Sequence, residues 1–141
     1  LPPGRAELVV AGRGAPALEA RLARSPGVTW LGHVPPNPAY GRMDCLVLPS
    51  RWHEPQALVL AEGLRRGLRL IASRRGGTTE ILEGRPPHLL YDPDVPGALA
   101  RAMATALSEG PLRVAPSGPA ADPVDRVEEI LAALCAGRAH A

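Results

Sequence analysis

The sequence predicts an α/β domain built on a doubly wound parallel sheet, and two observations predict it. Short strands such as "DCLVLPS" (44–50) and "LRLIAS" (68–73) are apolar nearly throughout. They keep no polar face for water, as strands covered on both sides of a parallel sheet require. Helical segments alternate with the strands one for one, which is the pattern of right-handed crossover connections.

The elements follow in order. "ELVVAG" (7–12) is a strand ending in glycine, and "APALEARLAR" (15–24) is a helix. "GVTWLG" (27–32) is the second strand, and "NPAYGRM" (37–43) a short helix or turn. After the third strand, "PQALVLAEGLRR" (55–66) is a helix opened by Pro55, since proline suits the first helical position. The fourth strand leads through "RRGG" to a short helix "TTEILEG" (78–84) and a short strand "HLLY" (88–91). "VPGALARAMATALSEG" (95–110) is a helix with an apolar stripe. Residues 110–122 are a loop rich in proline, glycine and alanine, and 123–137 a terminal helix. At 141 residues, one core and a single domain are expected.

Composition removes several function classes. All 16 basic residues are arginines, so neither a phosphate-loop lysine nor a Schiff-base lysine is available. A net charge of +2 without a basic tract, and only 3% aromatic residues, argue against nucleic acid as a partner. No apolar run is long enough for a transmembrane segment, and no basic-then-apolar leader opens the sequence, so a cytoplasmic location is expected. Cys45 and Cys135 show no metal-ligand spacing; no metal is expected, and both read as buried, reduced thiols.

Ligands of such sheets bind beyond the carboxyl ends of the strands. The loops in question are "GRGAP", "GHVPPNP", "PSRWHEP" and "SRRGGTT". Pro55 disfavours helix at Glu54, which places Glu54 just outside a helix amino terminus. Free N–H groups and the helix dipole there favour an anion such as phosphate. Glu62 stands eight residues on, about 12 Å along the axis at the helical rise, on one stripe with Leu58 and Val59. A carboxylate held there needs donors, and hydroxyls of a sugar or ribose would serve. A nucleotide-sugar has about the right length to span the pair. The residues alone equally allow Glu54 as an N-cap, and Glu62 reaching solvent or pairing with Arg65 or Arg66.

Taken together, the segment from Pro49 to Leu82 resembles the donor-binding core of retaining glycosyltransferases of the GT-B fold, the glycogen- and sucrose-synthase-like group 1 family. That family's pattern is Pro-Ser, then Trp-x-Glu-Pro-Phe-Gly-Leu-Val, a second Glu eight after the first, Ala-Ser, and Gly-Gly-x-x-Glu. Here Pro49, Ser50, Trp52, Glu54, Pro55, Leu58, Val59, Glu62, Ala72, Ser73, Gly76, Gly77 and Glu80 match it. Upstream, "LVVAGRGAPALEARL" and "VTWLGHVP" follow the family's order of segments, so the resemblance runs from about Glu7 to Leu107.

The resemblance implies one Rossmann-like half of a GT-B fold, with a nucleotide-sugar as substrate and no resident cofactor. It gives Glu54 the catalytic place, binding hydroxyls of the transferred sugar, and Glu62 the ribose hydroxyls. Gln56, Ala57 and Leu58 would lie against the sugar and diphosphate, and His33 and Val34 would border the base. Gly76 and Gly77 would let the backbone pass close to the donor, with Gly12 and Gly14 lining the same cleft. An amino-terminal acceptor-binding domain, in the same or a separate chain, would face it.

Three departures stand out. Phe-Gly is replaced by Gln56-Ala57, adding a methyl where the backbone approaches the donor, and Ala-Met by Gly63-Leu64. The family's first strand and helix, with an Arg and a Lys for the diphosphate, has no counterpart here. Arg74 and Arg75, beside the Gly-Gly turn, are the candidates for that charge.

Other features carry less. "GRGAPA" fits a dinucleotide fingerprint, but the acidic residue expected about 20 positions on is missing. His33, His53, His88 and His140 are scattered, with no serine or cysteine arranged as a nucleophile. Asp92 and Asp94 read as a turn that also caps the next helix. The expected function is the donor-binding half of a retaining hexosyltransferase, inactive by itself. The alternative is a degenerate donor domain kept as a binding or assembly module.

Overall fold

The computed structural model describes residues 6–53, 55 and 57–116. Glu54, Gln56, Cys135, the terminal helix at 123–137 and the end of the loop at 110–122 lie outside the described residues. The order is β1 (Leu8–Ala11), α1 (Pro16–Ala23), β2 (Val28–Gly32), α2 (Pro36–Tyr40), β3 (Cys45–Leu48), α3 (Leu58–Arg65), β4 (Arg69–Ser73), α4 (Gly77–Leu82), β5 (Leu89–Tyr91) and α5 (Ala98–Glu109). Strands and helices alternate as expected, and every strand pairing is parallel. The chain is a Rossmann-like α/β fold.

Among the described residues the strands form two hydrogen-bonded groups, β1-β2 and β3-β4-β5, with no pairing between β1 and β3. Their environments differ. All five residues of β4 are buried, since β4 is flanked by β3 and β5 and covered by helices. β1 and β2 are half-buried or exposed throughout, and α1 buries no residue. One helix cannot cover both faces of a two-stranded sheet.

The core gathers Tyr40, Leu46, Ala57, Leu60, Leu64, Leu68, Leu70, Ala72 and Leu82, between α3, α4 and the three-stranded sheet. Gly63 shows how closely α3 sits on that sheet. A Cβ at Gly63 would lie 2.8 Å from Leu70 Cδ2 and 2.9 Å from Leu46 Cδ2. The departure Gly63-Leu64 thus has a packing reason that offsets the helix-propensity cost of glycine.

Helix α3 starts later than the proline suggests. Leu58 is its first residue and Ala57 its N-cap, with the Ala57 carbonyl accepting from Leu60 N at 2.9 Å and Ala61 N at 3.4 Å. Pro55 therefore stands outside the helix. Ala57 is 2% exposed and Leu60 fully buried, so packing of the first turn sets the register in place of the proline.

The expected cap of α5 is also corrected. Asp94 N does donate to Asp92 Oδ1 at 2.9 Å, making the turn. The N-cap, however, is Gly97 in the left-handed region (φ 75°), with no side chain on the helix end. Asp94 is engaged elsewhere, as described below.

His88 provides a pH-dependent brace. Its Nδ1 accepts from Leu70 N at 3.2 Å, and its pKa is lowered by burial first, then by the charges of Arg85 and Arg69. The folded state therefore prefers neutral His88, whereas the unfolded chain protonates near the ordinary histidine value of about 6.5. Stability should be full above that value and fall as pH drops from it toward the depressed folded value. Urea midpoints at pH 7.5 and 5.5 should show that fall, and His88→Asn, which keeps an acceptor, should flatten it. An equal fall in the variant would assign the effect to other groups.

Cys45 is half-buried, and burial pushes its thiol up to about 11, so it is a poor nucleophile at neutral pH. Among the described residues, no helix is long and apolar enough to cross a membrane.

Candidate functional site at the carboxyl ends of the strands

Parallel pairing brings the named loops to the carboxyl ends of the strands. In the first group, Gly12 N donates to Gly32 O at 2.8 Å, tying the ends of β1 and β2. Gly12 has φ +135°, a region closed to most side chains, and a Cβ there would meet nothing within 4 Å. Gly14 N donates to Glu19 Oε1 at 2.8 Å, and Gly14 and His33 are exposed with Val34 half-buried.

In the second group, α3 presents two unlike faces. Leu60, Gly63 and Leu64 are buried, whereas Leu58 and Val59 are 46% and 40% exposed. Glu62, half-buried, lies on the stripe of Leu58 and Val59, four and three residues before it. Ala57 turns its methyl into the core. The extra methyl at the Phe-Gly position is thus directed inward, away from the exposed stripe.

Glu62 already has one partner. The Tyr40 hydroxyl is held well above its ordinary range, by burial first and then by its hydrogen bond to Glu62 and the charge of that carboxylate. Arg66 completes the cluster: its guanidinium lies 4.4 Å from the Tyr40 ring centroid, and its Nη1 donates to the Glu62 carbonyl at 3.1 Å. A carboxylate has two oxygens and about four lone-pair sites, so one phenol leaves room for the hydroxyls of a ligand. Tyr40 was not singled out by the sequence. Its only signal is an aromatic residue just before the third strand, in a chain almost without aromatics.

The turn after β4 is built around Gly76 and Thr78. Gly76 adopts φ 52° and ψ −141°, which only glycine takes without strain. Thr78 is fully buried; Arg75 N donates to its Oγ1 at 3.2 Å, and that hydroxyl faces the carbonyls of Ser73 and Arg75. Gly77 then opens α4. Arg75 is 24% exposed and ion-paired with Asp94, while Arg74 Nη1 pairs with Glu83 Oε1 at 2.7 Å. Of the two arginines proposed for phosphate charge, Arg75 is turned toward Asp94 in the loop after β5, and Arg74 faces a groove of about 210 Å³ on the β5 flank with Arg85 and His88.

Among the described residues, no group of three His, Cys, Asp or Glu is placed to hold a metal ion.

The chain is similar to several known proteins. Spore coat protein SA of Bacillus subtilis (strain 168) is 35% identical over 75 residues, covering 52% of this chain and 20% of that protein. An uncharacterized 42.6 kDa protein in the cps region of Klebsiella pneumoniae is 34% identical over 61 residues, 43% of this chain and 16% of that protein. The chain therefore spans a fifth or less of these curated relatives. Among solved structures, sucrose-phosphate synthase from Thermosynechococcus elongatus superposes with a TM-score of 0.61 at 25% identity, over 73% of this chain and 29% of that one. Residues 2–109 match the family described as Glycosyl transferases group 1. With most of its length matched, and with its parallel α/β fold shared with a GT-B enzyme, the chain belongs to the group 1 glycosyltransferases.

Proposed function

We propose that the chain is the donor-binding, carboxy-terminal half of a retaining glycosyltransferase, which moves a hexosyl group from a nucleotide-sugar to an acceptor. The observation that carries this reading is the stripe on α3, beyond the carboxyl end of β3, that sets half-buried Glu62 beside exposed Leu58 and Val59. A half-buried carboxylate between apolar neighbours, with spare acceptor capacity, suits the hydroxyls of a ribose resting on an apolar wall. Glu54 takes the transferred sugar in this reading, and Gln56, Ala57 and Leu58 the diphosphate side. His33 and Val34 border the base, and Gly12, Gly14, Gly76 and Gly77 allow close approach. Catalysis needs no metal and no resident cofactor; the protein orients the donor and stabilises the leaving diphosphate. The enzyme works in the cytoplasm.

The same reading assigns the acceptor to an amino-terminal domain, and a further strand-helix unit to the sheet. Half-exposed apolar residues in β1 and β2, among them Val9, Val10, Val28 and Leu31, support the second assignment.

Titration calorimetry with uridine, guanosine and adenosine diphosphate sugars tests the proposal, on the chain alone and with an amino-terminal half supplied. One of the three should bind saturably, weakly to the chain alone. Glu62→Gln should weaken that binding by roughly tenfold or more, since a hydrogen bond to a charged group contributes about 1.5–3 kcal/mol. Absence of binding to all three, or an unaltered Glu62→Gln affinity, would overturn it.

A second reading keeps the chain as a non-catalytic assembly module. The observation in its favour is the apolar rim, where Trp52 is 74% exposed near Leu58 and Val59 in sequence. Against it, Ala57 points its methyl into the core, which removes one sign of a decayed site.

A further inference from the structure

Three strand-end loops converge on one carboxylate. Arg51 comes from the loop after β3, Arg75 from the turn after β4, and Asp94 from the loop after β5. Arg75 Nη2 donates to Asp94 Oδ2, and Arg51 Nη2 lies 3.9 Å from Asp94 Oδ1. Asp94 is itself held in place by the turn in which its N–H donates to Asp92 Oδ1. Two guanidiniums, those of Arg51 and Arg75, therefore face the Asp94 carboxylate.

We propose that Asp94 occupies a seat for a diphosphate anion and acts as its built-in competitor. The reasoning runs on charge and geometry. The single Asp94 carboxylate can offset only one of the two guanidiniums that it faces. Guanidinium groups match phosphate oxygens with paired N–H donors at least as well as carboxylate oxygens. A diphosphate carries more charge than Asp94 and can span both arginines. The Asp94 side chain is 62% exposed, so nothing packed over it resists displacement. Until a ligand arrives, Asp94 holds Arg75 out of solvent at 24% exposure and directs it across the turn. This seat deepens the donor-binding reading and rests on it only for the identity of the physiological diphosphate. Inorganic pyrophosphate would engage the same two arginines without any sugar or base.

The test measures affinity of the full chain for inorganic pyrophosphate and for uridine diphosphate at low salt. Asp94→Asn removes the competing charge and keeps the side-chain shape, so binding should tighten by about threefold, in keeping with a surface ion pair. Arg75→Gln, in the wild type and in the Asp94→Asn background, should remove most of that affinity. Arg51→Gln should weaken it less, given its longer contact. Raising the salt should shrink all these differences. Tightening with pyrophosphate as well as uridine diphosphate identifies the seat as general for diphosphates; tightening with the nucleotide alone ties it to the donor. Unchanged or weaker binding of both by Asp94→Asn would overturn the proposal, as would binding indifferent to Arg75→Gln. The donor reading is judged separately: nucleotide-sugar binding that depends on Glu62 but ignores Asp94 sinks only the competitor. Pyrophosphate binding that responds to Asp94, with no nucleotide-sugar bound, sinks only the donor reading.

Discussion

Replacing Gly67 with alanine is expected to destabilise the fold by about 3 kcal/mol or more, through two effects at one atom. Gly67 follows the C-cap of α3 at φ +66°. Its N–H donates to Leu64 O, and that of Leu68 to Gly63 O, both at 3.0 Å, which closes the helix in a Schellman motif. An L-residue in this left-handed conformation costs about 1–2 kcal/mol. The second effect is steric. The chain beyond α5 returns over this turn, where Val114 N donates to Gly67 O at 2.9 Å. A Cβ on Gly67 would press on the Val114 carbonyl oxygen, a backbone atom that cannot swing aside like a side-chain end. Gly84 offers the control, with φ +68° and nothing within 4 Å of a Cβ. Gly84→Ala should incur only the conformational cost. Urea denaturation of both variants separates the two contributions, and equal losses would show that the returning segment yields freely.

Arg69→Ala is expected to cost about 3–5 kcal/mol, the range for removing one partner of a buried, hydrogen-bonded charge. Arg69 opens β4 and is 2% exposed, the largest fully enclosed side chain among the described residues. Its Nε donates to Pro87 O at 3.1 Å, its Nη1 to Ala106 O at 3.4 Å, and its Nη2 lies 2.5 Å from Glu109 Oε2. One side chain thus joins the central strand, the segment before β5 and the end of α5. Truncation leaves two carbonyls short of donors, a carboxylate without its cation, and a void. Arg69→Met refills much of the volume without the donors, so it should recover part of the loss. Glu109→Gln should cost about 1–2 kcal/mol, less than Arg69→Ala, because Glu109 is half exposed and water can take over some of its role. The Arg69→Ala loss should persist in high salt, since the site is shielded from ions. An alanine variant within 1 kcal/mol of the parent would refute the brace.

These two positions were not legible in the same degree. Gly67, between a helical and a strand pattern, is where a helix-ending glycine is expected, but the pressure from Val114 comes from 47 residues along the chain. Arg69 looks in sequence like any arginine at the start of a strand. Its burial depends on Ala106 and Glu109, on a helix whose own pattern says nothing of β4. The candidate site divides in the same way. The Leu58-Val59-Glu62 stripe and the Gly76 turn follow from spacing of three, four and one residues. The Tyr40 partner of Glu62, the inward methyl of Ala57 and the Asp94 pairing with Arg75 do not.

By itself the sequence determined the alternation of strands and helices, their parallel arrangement, the loops that meet at the strand ends, and the group 1 glycosyltransferase pattern across them. Apolar periodicity and turn residues act over a few positions, so a linear reading captures them. Only the tertiary structure decided where α3 begins, which charges are buried, and which side chain answers Arg75. Those outcomes depend on desolvation and on contacts between residues distant in the chain, where the cost of an unpaired buried group outweighs any local preference.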